Sequence, residues 1–158
     1  MEEELENNNK YMIFRLGKEL YATSLLNVKE VIKPKGIKPV PYMVKHFKGV
    51  INLRGQIVSI VDLREKFNID VKAENSLILI HDTESGALGA IIDDIERVAE
   101  IPEELVQNNF SVETNVPIDF FEGIAKLDDE IINIINISEC LSTEELRLIS
   151  HTVGIEAA

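Results

Sequence analysis

Histidines, a cysteine and paired carboxylates are the residues of this sequence that could bind a metal or catalyse a reaction. His46, His81 and His151 are far apart, and none stands at metal-ligand spacing from another histidine or a cysteine. Asp93-Asp94 and Asp128-Asp129 are pairs of sequence neighbours, whose side chains point to opposite faces of a strand. We therefore expect these carboxylates to solvate turns and sheet edges and not to converge on a ligand.

The remaining candidates for catalysis are a thiol and two glycines. Cys140 is the single cysteine and precedes the apolar Leu141, so we expect a buried structural thiol and not a nucleophile. Gly86 and Gly89 fall in a predicted hairpin and lack the strand-to-helix context of a phosphate-binding loop. The sequence thus predicts no catalytic residue, no metal site and no cofactor, and surface recognition is the function class that remains.

Arg54 is the residue that most suggests recognition. The runs 50–53 and 57–61 are rich in β-branched residues and flank the polar turn Arg54-Gly55-Gln56, which predicts a β-hairpin with both faces covered. An arginine at a hairpin tip is most often a solvated turn residue. It can also donate several hydrogen bonds to a carboxylate or carbonyl of a partner. The residues themselves leave both interpretations open.

The formal charge of −12 argues against binding to nucleic acid or to anionic lipid, because both carry negative charge. A small β-barrel that binds oligonucleotides is the alternative function class. The chain has no tryptophan and no aromatic stripe on which bases could stack. A group of lysines without interleaved exposed aromatics is typical of a solvated loop: Lys33, Lys35, Lys38, Lys45 and Lys48.

The elements that must position these residues are short strands. About ten apolar, often β-branched runs recur at spacings of roughly 8–12 residues, which is typical of small barrels or sandwiches. Val28–Ile32 is compatible with a strand or with the end of a turn. Three prolines between 33 and 42 predict a long loop before the hairpin. Helical turns are predicted after Ser24, over 63–67 and over 102–105, with a C-terminal helix from Ser142, where S-T-E-E fits a capping box.

The length of 158 residues suits one domain with a sizeable core or two small lobes. We predict a disordered acidic tail over 1–9, a two-lobed domain over 10–150 and a tail over 151–158. The lobe boundary is placed near 70–75, with an exchange of strands between the lobes as an option. The apolar runs are too short to span a bilayer, and the acidic N-terminus is unlike a secretory signal. A single cysteine suits a reducing cytoplasm.

Several motifs together resemble one family, that of CheW, the coupling protein of bacterial chemotaxis. The longest is P-V-P at 39–41 followed by F-K-G-V-I-N-L-R-G-Q-I-V-S-I-V-D-L-R at 47–64. V-K-E-V-I at 28–32, L-G-A-I-I-D-D-I at 88–95 and E-G-I-A-K-L-D-D-E at 122–130 extend the similarity over 10–150. Ser59 departs from the pattern, since many relatives carry proline there. Serine restores a backbone donor, so we expect the change to be tolerated.

The resemblance implies an all-β fold with short helices: two SH3-like, five-stranded β-barrel subdomains packed around a shared hydrophobic core, with a short C-terminal helix. It implies a non-catalytic, cytoplasmic adaptor that couples chemoreceptors (methyl-accepting chemotaxis proteins) to the histidine kinase CheA. The implied partners are the regulatory domain of CheA and the cytoplasmic tip of a chemoreceptor. The free protein is expected to be monomeric, without membrane insertion, and to join membrane-associated receptor arrays.

The resemblance also marks site residues. Arg54 and Gly55 match the family motif at its functional hairpin, and Glu30 matches the acidic residue of V-x-E-V/I, which is associated with receptor coupling. Leu25, Val28 and Val31 fall where the family's receptor groove is apolar. Their implied role is to bury one face of a receptor helix, with Arg54 or Glu30 at the rim. Simple core packing is the alternative role of the three aliphatic residues, and it stays open.

Overall fold

Short β-strands make up most of the structure. The computed structural model describes residues 9–40, 44–70, 75–84, 86–108 and 120–140. Within these ranges lie eleven strands: β1 Lys10–Leu16, β2 Glu19–Ser24, β3 Val28–Ile32, β4 Phe47–Leu53, β5 Gln56–Asp62, β6 Leu77–Thr83, β7 Gly86–Ile92, β8 Asp94–Glu100, β9 Val106–Gln107, β10 Phe121–Leu127 and β11 Glu130–Ile135. The helical segments are short: α1 is Leu63–Lys66, and 3₁₀ turns cover Leu25–Asn27, Glu103–Leu105 and Ile137–Glu139.

Most elements lie where the sequence pattern predicts them. The Ser24 Oγ accepts a hydrogen bond from the Leu26 amide over 3.3 Å, which confirms the predicted cap. Val28–Ile32, which the pattern left open, is a strand. Val106–Gln107 is a two-residue strand that the sequence pattern did not predict. The C-terminal helix from Ser142, the tail over 151–158 and the tail over 1–9, except Asn9, lie outside the described residues.

No helix within the described ranges has the length and apolar character needed to cross a membrane.

The strands pair into two sheets. The first lobe is built on a six-stranded sheet of order β8-β1-β2-β11-β10-β9, and the second lobe on a five-stranded sheet of order β3-β6-β7-β5-β4. The pairs β2–β11 and β5–β7 are parallel, and the other neighbours are antiparallel. The predicted two-subdomain β fold is confirmed. The first sheet has a sixth strand because β9 pairs with β10, and the closure of each sheet into a barrel stays a prediction.

The two halves of the chain repeat one order of elements and exchange one hairpin. Hairpin β1–β2, strand β3, hairpin β4–β5 and α1 correspond to hairpin β6–β7, strand β8, hairpin β10–β11 and the 137–139 turn. Each first hairpin pairs within the sheet of the other half. β5 and β6, which lie on either side of 70–75, share the second sheet, and the chain crosses between the two sheets at 25–27 and at Asp93. A lobe boundary near 70–75 with strands exchanged between the lobes stays a prediction.

The buried apolar side chains form three groups, one in each lobe and one that joins the two lobes. One group fills the first lobe and includes Ile13, Ala22, Ile132 and Ile134, and another fills the second lobe and includes Ile51, Val58, Ile60 and Ile78. The third and largest lies between the sheets and draws residues from both. Its centre is a row of rings, Phe14, Tyr21, Phe67 and Phe120, whose successive centroids are 6.1, 5.7 and 6.4 Å apart. The predicted shared hydrophobic core is confirmed, and Cys140 is buried in it.

Candidate functional site

The turn between β4 and β5 has an unusual residue at its first central position. Leu53 pairs with Gln56, so Arg54 and Gly55 are the central residues, with φ of 51° and 82°. Two positive φ values define a type I′ turn, which favours asparagine followed by glycine. Gly55 fits, and its amide donates to the Asn52 Oδ1 over 2.9 Å. The other described non-glycine residues with positive φ are types that tolerate it: Asn68, Asp128 and Asp129. Arginine is therefore unusual at this position, and turn propensity alone does not account for it.

Arg54 contacts Glu30. Its Nη2 lies 2.7 Å from the Glu30 Oε2, and the two side chains are 69% and 30% exposed. The hydrogen bond that Arg54 donates to Glu30, followed by the charge of Glu30, raises the pKa of Arg54. Because the pair is exposed, it contributes little to the stability of the fold. The guanidinium keeps further N–H groups directed to solvent, where a partner could accept from them.

The second sheet curves so that its two edges approach each other. β5 and β3 are separated by β7 and β6, so in a flat sheet they would be about 14 Å apart. The edge strand β4 also meets the chain that follows β3: the Lys38 amide donates to the Val50 carbonyl over 2.8 Å, and the Val50 amide donates to the Lys38 carbonyl over 2.9 Å. A Cβ at Gly49 would overlap the Lys38 backbone, which explains the glycine in the F-K-G-V motif. The curvature brings the hairpin tip over Glu30.

The three aliphatic residues of the predicted groove are half-buried. Val28 and Val31 lie on β3 beside Glu30 and pack partly against the shared core, while Leu25 lies in the preceding 3₁₀ turn. Contacts with the shared core thus bury part of each valine side chain, and the rest of that side chain is accessible. Sequence reasoning missed two further exposed apolar side chains: Leu26, next to Leu25 in the chain, is 44% exposed, and Ile57, on β5 just after the hairpin turn, is 48% exposed. Ile57 shows that the hairpin is not covered on both faces near its tip.

Three charged side chains, those of Asp62, Arg64 and Asp93, form a cluster that the sequence did not predict. Asp93 was expected to solvate a turn, and that expectation was wrong: its carboxylate contacts the buried Arg64. Asp62 contacts the same guanidinium. Burial alone would lower the pKa of Arg64, but hydrogen bonds and charges from Asp62 and Asp93 outweigh it and raise that pKa. Asp94 begins the edge strand β8, and Asp128-Asp129 form the turn between β10 and β11, in agreement with the prediction of sheet edges and turns. The available signal was the D-L-R motif, in which Asp62, the last residue of a strand, caps α1.

His81 is buried where the two sheets meet. Its Nε2 lies 3.4 Å from the Thr23 Oγ1, which belongs to the first lobe. Burial, opposed by the charge and backbone of Asp82, lowers the pKa of His81 to about 4, so the imidazole is neutral at pH 7. Among the described residues, no three His, Cys, Asp or Glu side chains are grouped as metal ligands.

Two packed, curved sheets and an exposed arginine–glutamate pair beside half-buried aliphatic residues define a two-lobed β module suited to surface recognition. The chain belongs to the CheW-like domain family, which matches residues 10–145. The resemblance drawn from the N-L-R-G hairpin and its flanking motifs is therefore confirmed.

Individual proteins with this domain are similar over nearly their whole length. The chemotaxis protein CheW of Bacillus subtilis is 30% identical over 91% of this chain and 94% of its own. That of Treponema pallidum is 28% identical over 87% of this chain and 85% of its own. The crystal structure of the scaffolding protein TtCheW from Thermoanaerobacter tengcongensis superposes with a TM-score of 0.80, at 32% identity, over 87% of this chain and 94% of that one.

Proposed function

We propose that this chain is a non-catalytic chemotaxis adaptor that couples chemoreceptors to the histidine kinase CheA. Its similarity to chemotaxis proteins named CheW and to the scaffolding protein TtCheW supports the class of function. The observation that carries the proposal is the exposed Arg54–Glu30 pair, which borders the half-buried Val28 and Val31. A charged rim beside an apolar strip is a suitable surface for one face of an amphipathic helix.

The proposed receptor site would bury the apolar face of a receptor helix and fix the position of that helix along the groove. The accessible parts of Leu25, Val28 and Val31 would cover the apolar face of the receptor-tip helix. Arg54 would donate to a carboxylate or a carbonyl of the receptor while Glu30 holds the guanidinium in place. Gly55 allows the left-handed backbone that projects Arg54 from the tip. An arginine held by an ion pair loses less conformational entropy on binding than a free one.

The adaptor also needs a surface for the regulatory domain of CheA. We propose that it lies on the second lobe, between Pro39 and Phe47 in the chain and on the side of that lobe away from the groove. The protein is proposed to be cytoplasmic and monomeric when free, and to reach the membrane through receptor arrays. The net charge of −12 opposes the oligonucleotide-binding alternative.

A pull-down with purified components tests the proposal. The immobilised chain is mixed with a CheA regulatory domain, with a soluble receptor-tip fragment, and with both together. We expect each to be retained alone and both to be retained together. Retention of neither component would contradict the adaptor function.

A further inference from the structure

The Arg64 cluster, made of Asp62, Arg64 and Asp93, is buried at one of the two places where the chain crosses between lobes. Arg64 donates from Nε and Nη2 to the two carboxylate oxygens of Asp62 over 3.0 and 3.1 Å. It donates from Nη1 to the Asp93 Oδ1 over 2.9 Å. The side chains of Arg64, Asp62 and Asp93 are 7%, 4% and 14% exposed. A planar guanidinium with three fixed N–H directions holds both carboxylates in defined positions.

Asp93 connects this cluster to the first lobe. Its Oδ2 accepts from the Gly17 amide over 2.6 Å, and its own amide donates to the Arg15 carbonyl over 3.1 Å. Gly17 lies in the turn of hairpin β1–β2, which belongs to the first sheet, whereas Arg64 lies in α1, which follows β5 of the second. One carboxylate therefore joins the two lobes at the residue where the chain passes from β7 to β8.

The equivalent position in the other half of the chain is neutral. Asn136 caps the 137–139 turn by accepting from the Ser138 amide over 3.1 Å, as Asp62 accepts from the Arg64 amide over 2.9 Å. The amides of Asp62 and Asn136 each donate over 2.8 Å to a carbonyl before the preceding hairpin, that of His46 and that of Phe120. Serine thus stands where arginine stands in the first half. Of the two crossings in the described structure, only the one at Asp93 is held by buried charges.

Stability alone does not account for such a cluster. Buried ion pairs are often no more stabilising than apolar side chains of similar volume, because desolvation offsets the attraction. The directional hydrogen bonds of the Arg64 cluster instead fix how the groups that they join are oriented. The groove residues Val28 and Val31 follow the other crossing at 25–27, where the lobes share the neutral contact between Thr23 and His81 and, in the described part of the chain, no ion pair.

We propose that Arg64 is a positioning residue: through Asp93 and Gly17 it sets the angle between the two lobes, and with it the width of the receptor groove. The link between the lobe angle and the receptor groove rests on the proposed function. Loss of the guanidinium leaves the two sheets joined by the shared apolar core and the Thr23–His81 contact, which we expect to allow more than one angle. The groove then samples several widths, and only a fraction of molecules has the receptive one.

The test measures the lobes directly. Cys140→Ala removes the native thiol, and Lys29→Cys in the second lobe with Ile131→Cys in the first introduces exposed sites for a pair of spin labels. In this background Arg64→Met should broaden or shift the distance distribution, Asp93→Asn should do so to a smaller extent, and Arg64→Lys should recover part of the wild-type distribution. Ile60→Ala, which opens the core of the second lobe away from the crossing, is the control for lost stability.

If Arg64 only stabilises the fold, Arg64→Met should give the same distance distribution as Ile60→Ala at an equal loss of stability. That result would overturn the proposal. If Arg64→Met does not fold, Asp93→Asn decides by the same comparison. The affinity for a receptor-tip fragment should fall at least about fivefold for Arg64→Met relative to Ile60→Ala. An unchanged affinity with a broadened distribution would refute the link to the groove. Failure of the wild type to bind the fragment would refute the proposed function and leave the distance result to decide the role of Arg64.

Discussion

Arg54 and Glu30, 24 positions apart in the chain, form an exposed ion pair with 2.7 Å between Nη2 and Oε2. Both residues were selected from the sequence for separate reasons, one as a hairpin tip and one as the acid of V-K-E-V-I. Their contact makes them parts of one surface. An exposed pair of this kind contributes little to folding, so its effect should be visible in binding.

Arg54→Glu should leave the fold intact and impair receptor coupling. The side chain is largely exposed, but the change places two carboxylates together and removes the donors offered to a receptor. We expect the affinity for a receptor-tip fragment to fall at least about tenfold and receptor-dependent kinase stimulation to be lost, measured in a reconstituted mixture.

Arg15→Glu is the matched control, because Arg15 forms a comparable exposed pair with Glu96 on the first lobe. The exchange Arg54→Glu with Glu30→Arg should restore the ion pair but not the coupling. Full coupling in that double variant would mean that only the internal pair matters.

Leu26→Asp and Val28→Asp should separate binding from packing. Leu26 is 44% exposed, so its substitution should change the free energy of unfolding by less than about 0.5 kcal/mol. Val28 packs partly against the shared core, so a charge there should cost roughly 1–3 kcal/mol. Denaturant titration measures both. Both variants should bind a receptor-tip fragment more weakly. Wild-type binding by a folded Val28→Asp protein would assign that residue to the core alone.

His81 should make the protein less stable in mild acid. Its pKa is about 4 in the folded chain against 6.5 for an ordinary histidine, so the unfolded chain takes up the proton more readily. The neutral side chain therefore contributes its full stability above about pH 6.5, and that contribution declines as the pH falls towards 4, by about 3 kcal/mol in total. His81→Leu removes this titration. The difference in unfolding free energy between wild type and variant, measured from pH 7 to pH 4, should show the decline; a constant difference would contradict it.

The exchanged hairpins predict how the chain behaves when it is divided. Fragments 1–70 and 75–158 each lack strands that their sheets require, since β1–β2 pair with β11 and β8 while β6–β7 pair with β5 and β3. We expect neither fragment to unfold cooperatively alone and a mixture of both to give a folded, equimolar complex. Circular dichroism and size-exclusion chromatography measure this. A cooperative transition in either isolated fragment would show that the exchange is not needed for folding.

Local pattern was sufficient for the elements of this fold. β-branched runs separated by glycine and acidic turns predicted most strands within a few residues, and Ser24 was identified as a cap from its side chain alone. The residue types around 54 also predicted the hairpin. These features depend on contacts between residues close in sequence, and such contacts can be inferred from spacing.

The tertiary structure decided which strands share a lobe and which charges meet. The parallel pairs β2–β11 and β5–β7 join distant segments, and nothing in the pattern of a single strand specifies its partner. Asp93 and Asp94 have the same side chain and adjacent positions, yet one is buried against Arg64 and Gly17 while the other faces solvent. The sequence by itself determined the strands, the Arg54 turn and the family. The exchange of hairpins, the curvature that brings Arg54 to Glu30 and the buried Arg64 cluster depend on long-range packing, which only the folded chain defines.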